Sequence, residues 1–199
     1  MNSDQLHELL FQALETERGG IQVYTAAVGC ALNDDLRKEW EEYLEQTIRH
    51  EQIMTDVLTN LGLDPETETG GRQVVRSIGE SLVNAMQMAL ASGPAEAAEL
   101  VAGECVVLAE TKDHLNWELI ELAAGEADKK TAAILRAAVE EVEDEEDEHL
   151  YHSTGWTREL WLQSLGIKAV LPPPEEQKHV TTAIGAARAK NARDEMASS

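Results

Sequence analysis

Basic residues are scarce in this chain: 16 Lys and Arg face 38 Asp and Glu, for a formal net charge of -22 at pH 7. A surface of that sign repels phosphates instead of releasing their counterions, which argues against nucleic acid and makes cations the natural guests. The same acidity would also serve plain solubility or a salty cytoplasm. Cysteine is nearly absent. Cys30 and Cys105 stand alone, outside any Cys-x-x-Cys setting, so no disulfide framework is indicated and both are expected as small buried apolar residues. No apolar run approaches the ~20 residues that a membrane span needs. Met1 to Leu14 carries Asp4 and Glu8 and lacks the basic flank of a secretory leader, so the expectation is a cytoplasmic protein without membrane contact. No segment carries a convincing strand signal.

What the chain does have is apolar content of 43% over 199 residues, enough for one domain with a real core. The periodicity is helical throughout. Ser3 or Asp4 can cap a first helix with Leu6, Leu10, Ala13, Ile21, Tyr24 and Val28 on one side, and Glu17 on the same line. Asn33-Asp34-Asp35 makes a short turn into a second helix with Trp40, Tyr43, Leu44, Thr47, His50, Met54, Val57 and Leu61 inward, stopped by Gly62. So short a link forces an antiparallel hairpin. Leu63 to Arg72 breaks the pattern, and Val74 to Ala91 reads as a shorter crossover helix. Gly93-Pro94 starts a third long helix, with Val101, Val107, Leu108, Trp117, Leu119 and Leu122, that stops at Gly125; Asp128 caps a fourth that runs to about Leu165. The expected fold is all-α: residues 1–166 as a four-helix bundle of two antiparallel hairpins joined by a crossover containing a short helix. Residues 167–199 then form a Pro-rich break and a C-terminal arm, loose or held by a second subunit.

The fourth helix carries the decisive feature. Leu135, Val139, Val142, Glu146, His149, Trp156 and Leu160 recur at helical spacing, so a stripe that should be oil holds a carboxylate and an imidazole one turn apart. Buried charge needs a partner. Glu17, Glu110 and His50, each on another helical run, complete a candidate metal set of Glu17, His50, Glu110, Glu146 and His149. Carboxylates supply hard, bridging oxygen donors, and neutral imidazole adds a directional nitrogen, the combination that iron and manganese accept. Each residue also has a plainer reading. Glu146 and His149 lie in the acidic run 140–148, Glu17 is next to Arg18, Glu110 is near Lys112, and His50 suits a hydrogen-bonded core histidine. Tyr24 and Trp117 follow Glu17 and Glu110 by seven residues, a repeated ligand-then-aromatic pattern that hints at internal duplication and that packing alone would also explain. Tyr151, Trp156 and Trp161 read as packing or interface residues.

On these residues the chain resembles the ferritin-like superfamily of di-metal carboxylate bundles, to which bacterioferritin, rubrerythrin and the manganese catalases belong, over roughly Ser3 to Gly166. Glu17 to Tyr24 looks like that family's first-helix Glu followed by Tyr, Glu146-Asp147-Glu148-His149 like its fourth-helix motif, and Glu110, with Glu104 as a weaker competitor, like its third-helix Glu. Thr47 stands three residues before His50, where the family has a Glu. The resemblance therefore implies one or two iron or manganese ions in an asymmetric site, with His114, Glu143 or Glu51 as replacement donors. It also implies redox chemistry with dioxygen or peroxide: ferrous oxidation or peroxide disposal by an oxidoreductase, or iron storage within a shell. The alternative is a ferritin-like scaffold with a degenerate site, acting as a binding or oligomerisation module; in either case a homo-oligomer, with a dimer as first guess, is expected.

Overall fold

A computed structural model describes residues 2–198, and among them the fold is all-α, without strands. The helices are α1 (Ser3–Cys30), α2 (Asp34–Asn60), α3 (Gly70–Ser92), α4 (Ala95–Glu126), α5 (Lys129–Ser164), α6 (Pro174–Gln177) and α7 (Ala183–Ala197). Helix starts follow side-chain chemistry. Asn2, not Ser3 or Asp4, caps α1 by accepting from the backbone N–H groups of Asp4 and Gln5. Asn33 does the same for α2, and Asp128 for α5. Pro94 sits at the N-cap of α4, one position before the helix, and α4 runs through Gly125 to Glu126. The link between α1 and α2 is pinned from outside: Leu32 and Asn33 both donate backbone N–H groups to Glu99 Oε1 on α4, at 2.7 and 2.8 Å.

Helix α1 packs on α2, α2 on α5, α5 on α4 and α4 on α1, which closes a ring of four long helices. Helix α3, at 23 residues longer than its sequence suggested, lies against α1 and α4. Two apolar clusters fill the ring. One gathers Leu10 and Leu14 of α1, Met54 and Leu58 of α2, Trp117 and Ile120 of α4, and Leu135 and Val142 of α5. The other gathers Val23 and Tyr24, Leu36 and Trp40, Ala102 and Val106, and Trp156 and Leu160. Reading α1 and α5 from the first cluster to the second, and α2 and α4 from the second to the first, gives two antiparallel hairpins, with α3 between them in the chain. Each long helix therefore passes from one apolar cluster to the other, and the residues between the clusters are polar: Glu17, Thr47, His50, Glu110, Asp113, Glu146 and His149, all buried.

Helix α4 departs from the stripe expected of it. Its inward side is Ala98, Ala102, Cys105, Val106, Glu110, Asp113, Trp117, Ile120 and Ala124, whereas Leu108, Leu119 and Leu122 are exposed. Apolar residues lie all round this helix, so periodicity alone could not choose the buried face. Small residues face inward because neighbours come close: a Cβ on Gly103 would lie 2.7 Å from Thr157 Oγ1 of α5. Cys30 and Cys105 are buried free thiols, as expected.

The C-terminal segment is held by its own chain. Glu159, whose side chain is fully buried, accepts from the backbone N–H of Val170, from Arg158 Nε and from Arg193 Nε of α7, at 2.9, 2.9 and 2.8 Å. Arg158 forks onto Glu175 at 2.7 and 2.8 Å. These contacts tie the segment to α5 within the same chain. Trp156 belongs to the core, and Trp161, partly exposed, donates to Glu104. Among the described residues no helix is long and apolar enough to cross a membrane.

Candidate metal centre

The five residues singled out in the sequence converge in the polar layer. His50 of α2 and His149 of α5 lie with their rings 5.7 Å apart, and their outward nitrogens are each held: His50 Nε2 by Glu145 Oε2 at 2.8 Å, His149 Nε2 by the amide oxygen of Gln46 at 2.7 Å. A carboxylate and an amide oxygen only accept, so each Nε2 carries a hydrogen and each Nδ1 is turned inward. His50 Nδ1 lies 2.8 Å from Glu146 Oε1. Burial lowers the His50 pKa, while burial, reinforced by the charge of Glu110, pushes Glu146 up to about 8. The shared proton therefore sits on Glu146, which donates it to the imidazole. His149 Nδ1 is buried with no hydrogen-bond partner, 3.6 Å from Glu110 Oε2 and 3.7 Å from Glu146 Oε1.

The carboxylates are as poorly satisfied. Trp117 Nε1 donates to Glu17 Oε1 at 2.9 Å, but Glu17 Oε2, Glu110 Oε2, Asp113 Oδ1 and Glu146 Oε2 are buried without a partner. An unsatisfied buried polar atom costs about 1–3 kcal/mol, more when charged, so several in one place are a cost that a bound group would relieve. Burial raises Glu17 and Asp113 well above the usual carboxylate range, reinforced at Glu17 by the charges of Asp113 and Glu146 and at Asp113 by those of Glu146 and Glu110. The plainer partners are engaged elsewhere. Arg18 binds Glu51 and Glu66, and Lys112 donates to Asn116. The solvated-face reading fails equally, since Glu146 and His149 are 2% and 0% exposed.

Asp113 is missing from the set expected from the sequence, although Glu110-x-x-Asp113 repeats on α4 the spacing of Glu146-x-x-His149 on α5. That spacing was the available signal. The donors proposed as replacements for the position of Thr47 lie apart from the cluster. His114 binds Asp147 at 2.7 Å, Glu51 binds Arg18 at 3.0 Å, and Glu143 is exposed. Thr47 itself donates to the Tyr43 carbonyl oxygen at 2.8 Å, and its methyl group lies 3.1 Å from where a Cβ on Gly20 would stand. It therefore packs α2 against α1.

A second polar layer braces the first. The Tyr43 ring lies 4.2 Å from that of His149; its hydroxyl donates to Glu39 Oε1 at 2.6 Å and accepts from His152 Nδ1 at 3.0 Å. Burial works to raise Glu39, but hydrogen bonds from His152, Glu176 and Tyr43 hold it below the usual range. The sequence-level symmetry of Glu17/Tyr24 and Glu110/Trp117 becomes an exchange between helices. Trp117 of α4 serves Glu17 of α1, while Tyr24 of α1, raised first by burial and then by the Glu110 charge, belongs beside Glu110 of α4.

The class these features define is an all-α helical bundle with a buried His–carboxylate cluster between two apolar layers. Comparison with protein-family models, with curated proteins and with solved structures finds no match for the chain.

Proposed function

We propose that this protein is a ferritin-like metal-binding protein whose bundle core holds iron or manganese for oxygen chemistry, either ferrous oxidation or peroxide disposal. One observation carries the reading: His149 Nδ1, in the protein interior, faces carboxylate oxygens of Glu110 and Glu146 and has no hydrogen-bond partner. Two groups of three buried donors, His50 with Glu146 and His149, and Glu17 with Asp113 and Glu146, have their ligand atoms within 4.8 Å of one another, close enough to meet on a cation. Glu110 stands beside them. These residues fit hard or borderline divalent ions, and a bound iron or manganese ion would supply the change of oxidation state.

The protein's own part is positional and electrostatic. Glu145 and Gln46 hold both imidazoles by Nε2 so that each Nδ1 faces the cluster, and Trp117 holds one oxygen of Glu17 and leaves the second without a partner. The apolar clusters on either side limit water, which strengthens every charge interaction within. Glu146 holds a proton in the metal-free chain and would release it on loading. Anaerobic ferrous addition followed by oxygen, with metal analysis, tests the proposal. The wild type should bind metal and consume oxygen, and Glu146→Ala combined with His149→Ala should lose both. Wild type without metal or oxygen uptake would leave only a helical scaffold.

A further inference from the structure

Outside the core, one basic side chain breaks the pattern set by the others. Arg18, Arg72, Arg76, Arg158 and Arg193 are buried or half-buried, and each forms an ion pair with a carboxylate. Lys112 of α4 is half-buried too, yet among the described residues no carboxylate pairs with it. With 38 acidic side chains against 16 basic ones, a sheltered ammonium left without a carboxylate is the exception in this chain. Its hydrogen bond goes to Asn116 Oδ1, a neutral acceptor, which leaves other donors of the ammonium unused. Asn116 is itself held in place, donating from Nδ2 to Thr16 Oγ1 at 3.0 Å. Burial lowers the Lys112 pKa, the mark of a charge that its surroundings do not compensate.

Lys112 lines a cavity of about 200 Å³ between α1, α3 and α4. Its walls are largely apolar: Val23 of α1, Val75, Ile78 and Leu82 of α3, and Leu108 and Ala109 of α4. The carboxylate in those walls, Glu15, has both oxygens taken by Arg72 and Arg76, so it neither pairs with Lys112 nor strongly repels an incoming anion. An apolar hollow with one unmatched positive charge is complementary to a ligand with a hydrocarbon body and one negative end.

We propose that this cavity binds a small apolar monocarboxylic acid, of benzoate or hexanoate size, with its hydrocarbon against the walls of α1 and α3 and its carboxylate on the Lys112 ammonium. A dry apolar cavity of about 150 Å³ takes benzene, so this volume suits a ring or a chain of about six carbons. The ion pair would compensate the sheltered ammonium, and the apolar walls would favour such an acid over inorganic anions. The site uses none of the metal-centre residues and does not depend on the metal-binding reading.

The full-length chain, stripped of metal with a chelator so that no ion competes for the carboxylate, can be titrated with hexanoate and benzoate by isothermal calorimetry. Hexanol, which lacks the charge, and acetate, which lacks the apolar body, serve as comparison probes. Wild type should bind hexanoate and benzoate at least about tenfold more tightly than hexanol or acetate, the scale of one charge-assisted hydrogen bond. Lys112→Met keeps an apolar stem and removes the charge; it should bring hexanoate down to the level of hexanol while leaving hexanol unchanged. Ala109→Phe fills the cavity and should abolish binding of both, which decides the matter if Lys112→Met fails to fold by circular dichroism. No binding to wild type, equal affinity for hexanoate and hexanol, or folded Lys112→Met protein that keeps wild-type affinity for hexanoate would overturn the proposal.

Discussion

Glu146 is where the metal-free and metal-loaded demands on one side chain conflict. Buried between Glu110 and two imidazoles, it keeps its proton to about pH 8 and donates it to His50 Nδ1, so in the metal-free chain it behaves as a neutral hydrogen-bonding acid. A neutral amide can stand in for that acid but is a poor substitute for a bridging carboxylate. Glu146→Gln should therefore leave metal-free stability at pH 7 within about 1 kcal/mol of wild type, or raise it, while abolishing tight metal binding; chemical denaturation with and without metal reads both. A loss of several kcal/mol in the metal-free variant would mean that the charge of Glu146 supports the fold, contrary to its surroundings. Asp113 belongs at this scale as well. It was legible only as spacing, because Asp-Lys pairs on helix surfaces are common and Lys112 directly precedes it.

Among the elements, the hairpins follow from caps, turns and hydrophobic stripes, and α2 and α5 present the faces that their periodicity promised. The C-terminal segment does not. Its mixed-charge, Ala-rich sequence has no apolar stripe, and it is positioned by Arg193 reaching the fully buried Glu159 on α5. Arg193→Ala leaves that carboxylate with Arg158 and the Val170 N–H alone and should cost about 1.5–3 kcal/mol, the range for losing a hydrogen bond to a charged group. Limited proteolysis should then cut within residues 167–198 before the bundle. A variant as resistant as wild type would show that α7 docks by other contacts. No periodicity argument finds such an interaction, because it joins residues 34 apart through one ion pair.

For the whole molecule, the opposing shifts set a pH profile. Glu17, Asp113 and Glu146 have folded-state pKa values raised by burial, so between the ordinary carboxylate range and about 8 the folded metal-free chain binds more protons than the unfolded one. Stability must fall as pH rises through that window. Glu15 and Glu159, held low by Arg72 and Arg76 and by Val170 N–H, Arg193 and Arg158 against the cost of burial, act the other way: their contribution is present above the unfolded pKa and is lost as pH drops through the folded one. Metal-free protein should accordingly melt higher near pH 5 than near pH 8 and unfold only in stronger acid. Saturating metal should reverse the slope at neutral pH, since loading displaces the raised protons. At a hundred times its dissociation constant, a bound ion adds about 2.7 kcal/mol, or roughly 5–10 °C for a chain of this size, and a chelator should take it away. Calorimetry across pH 5 to 8, with and without manganese, checks both; a melting temperature indifferent to metal at every pH would oppose a loaded core.

Local rules determined what local rules can reach. The helical class, the hairpin turns at Asn33 and Asp128, and the inward path of Glu17, His50, Glu146 and His149 all follow from capping and a period of 3.6 residues, which act within a few residues of sequence. Only the tertiary structure decided which side of α4 faces inward, since its apolar residues surround the helix and packing against α1 and α5 had to choose. That choice put Asp113 beside Glu17 and Glu146, sent His114 to Asp147, and brought Glu110 of α4 to within 3.6 Å of His149 Nδ1. Such neighbours are set by the rotation and approach of whole helices, a property of several segments at once that no single stretch of the chain encodes.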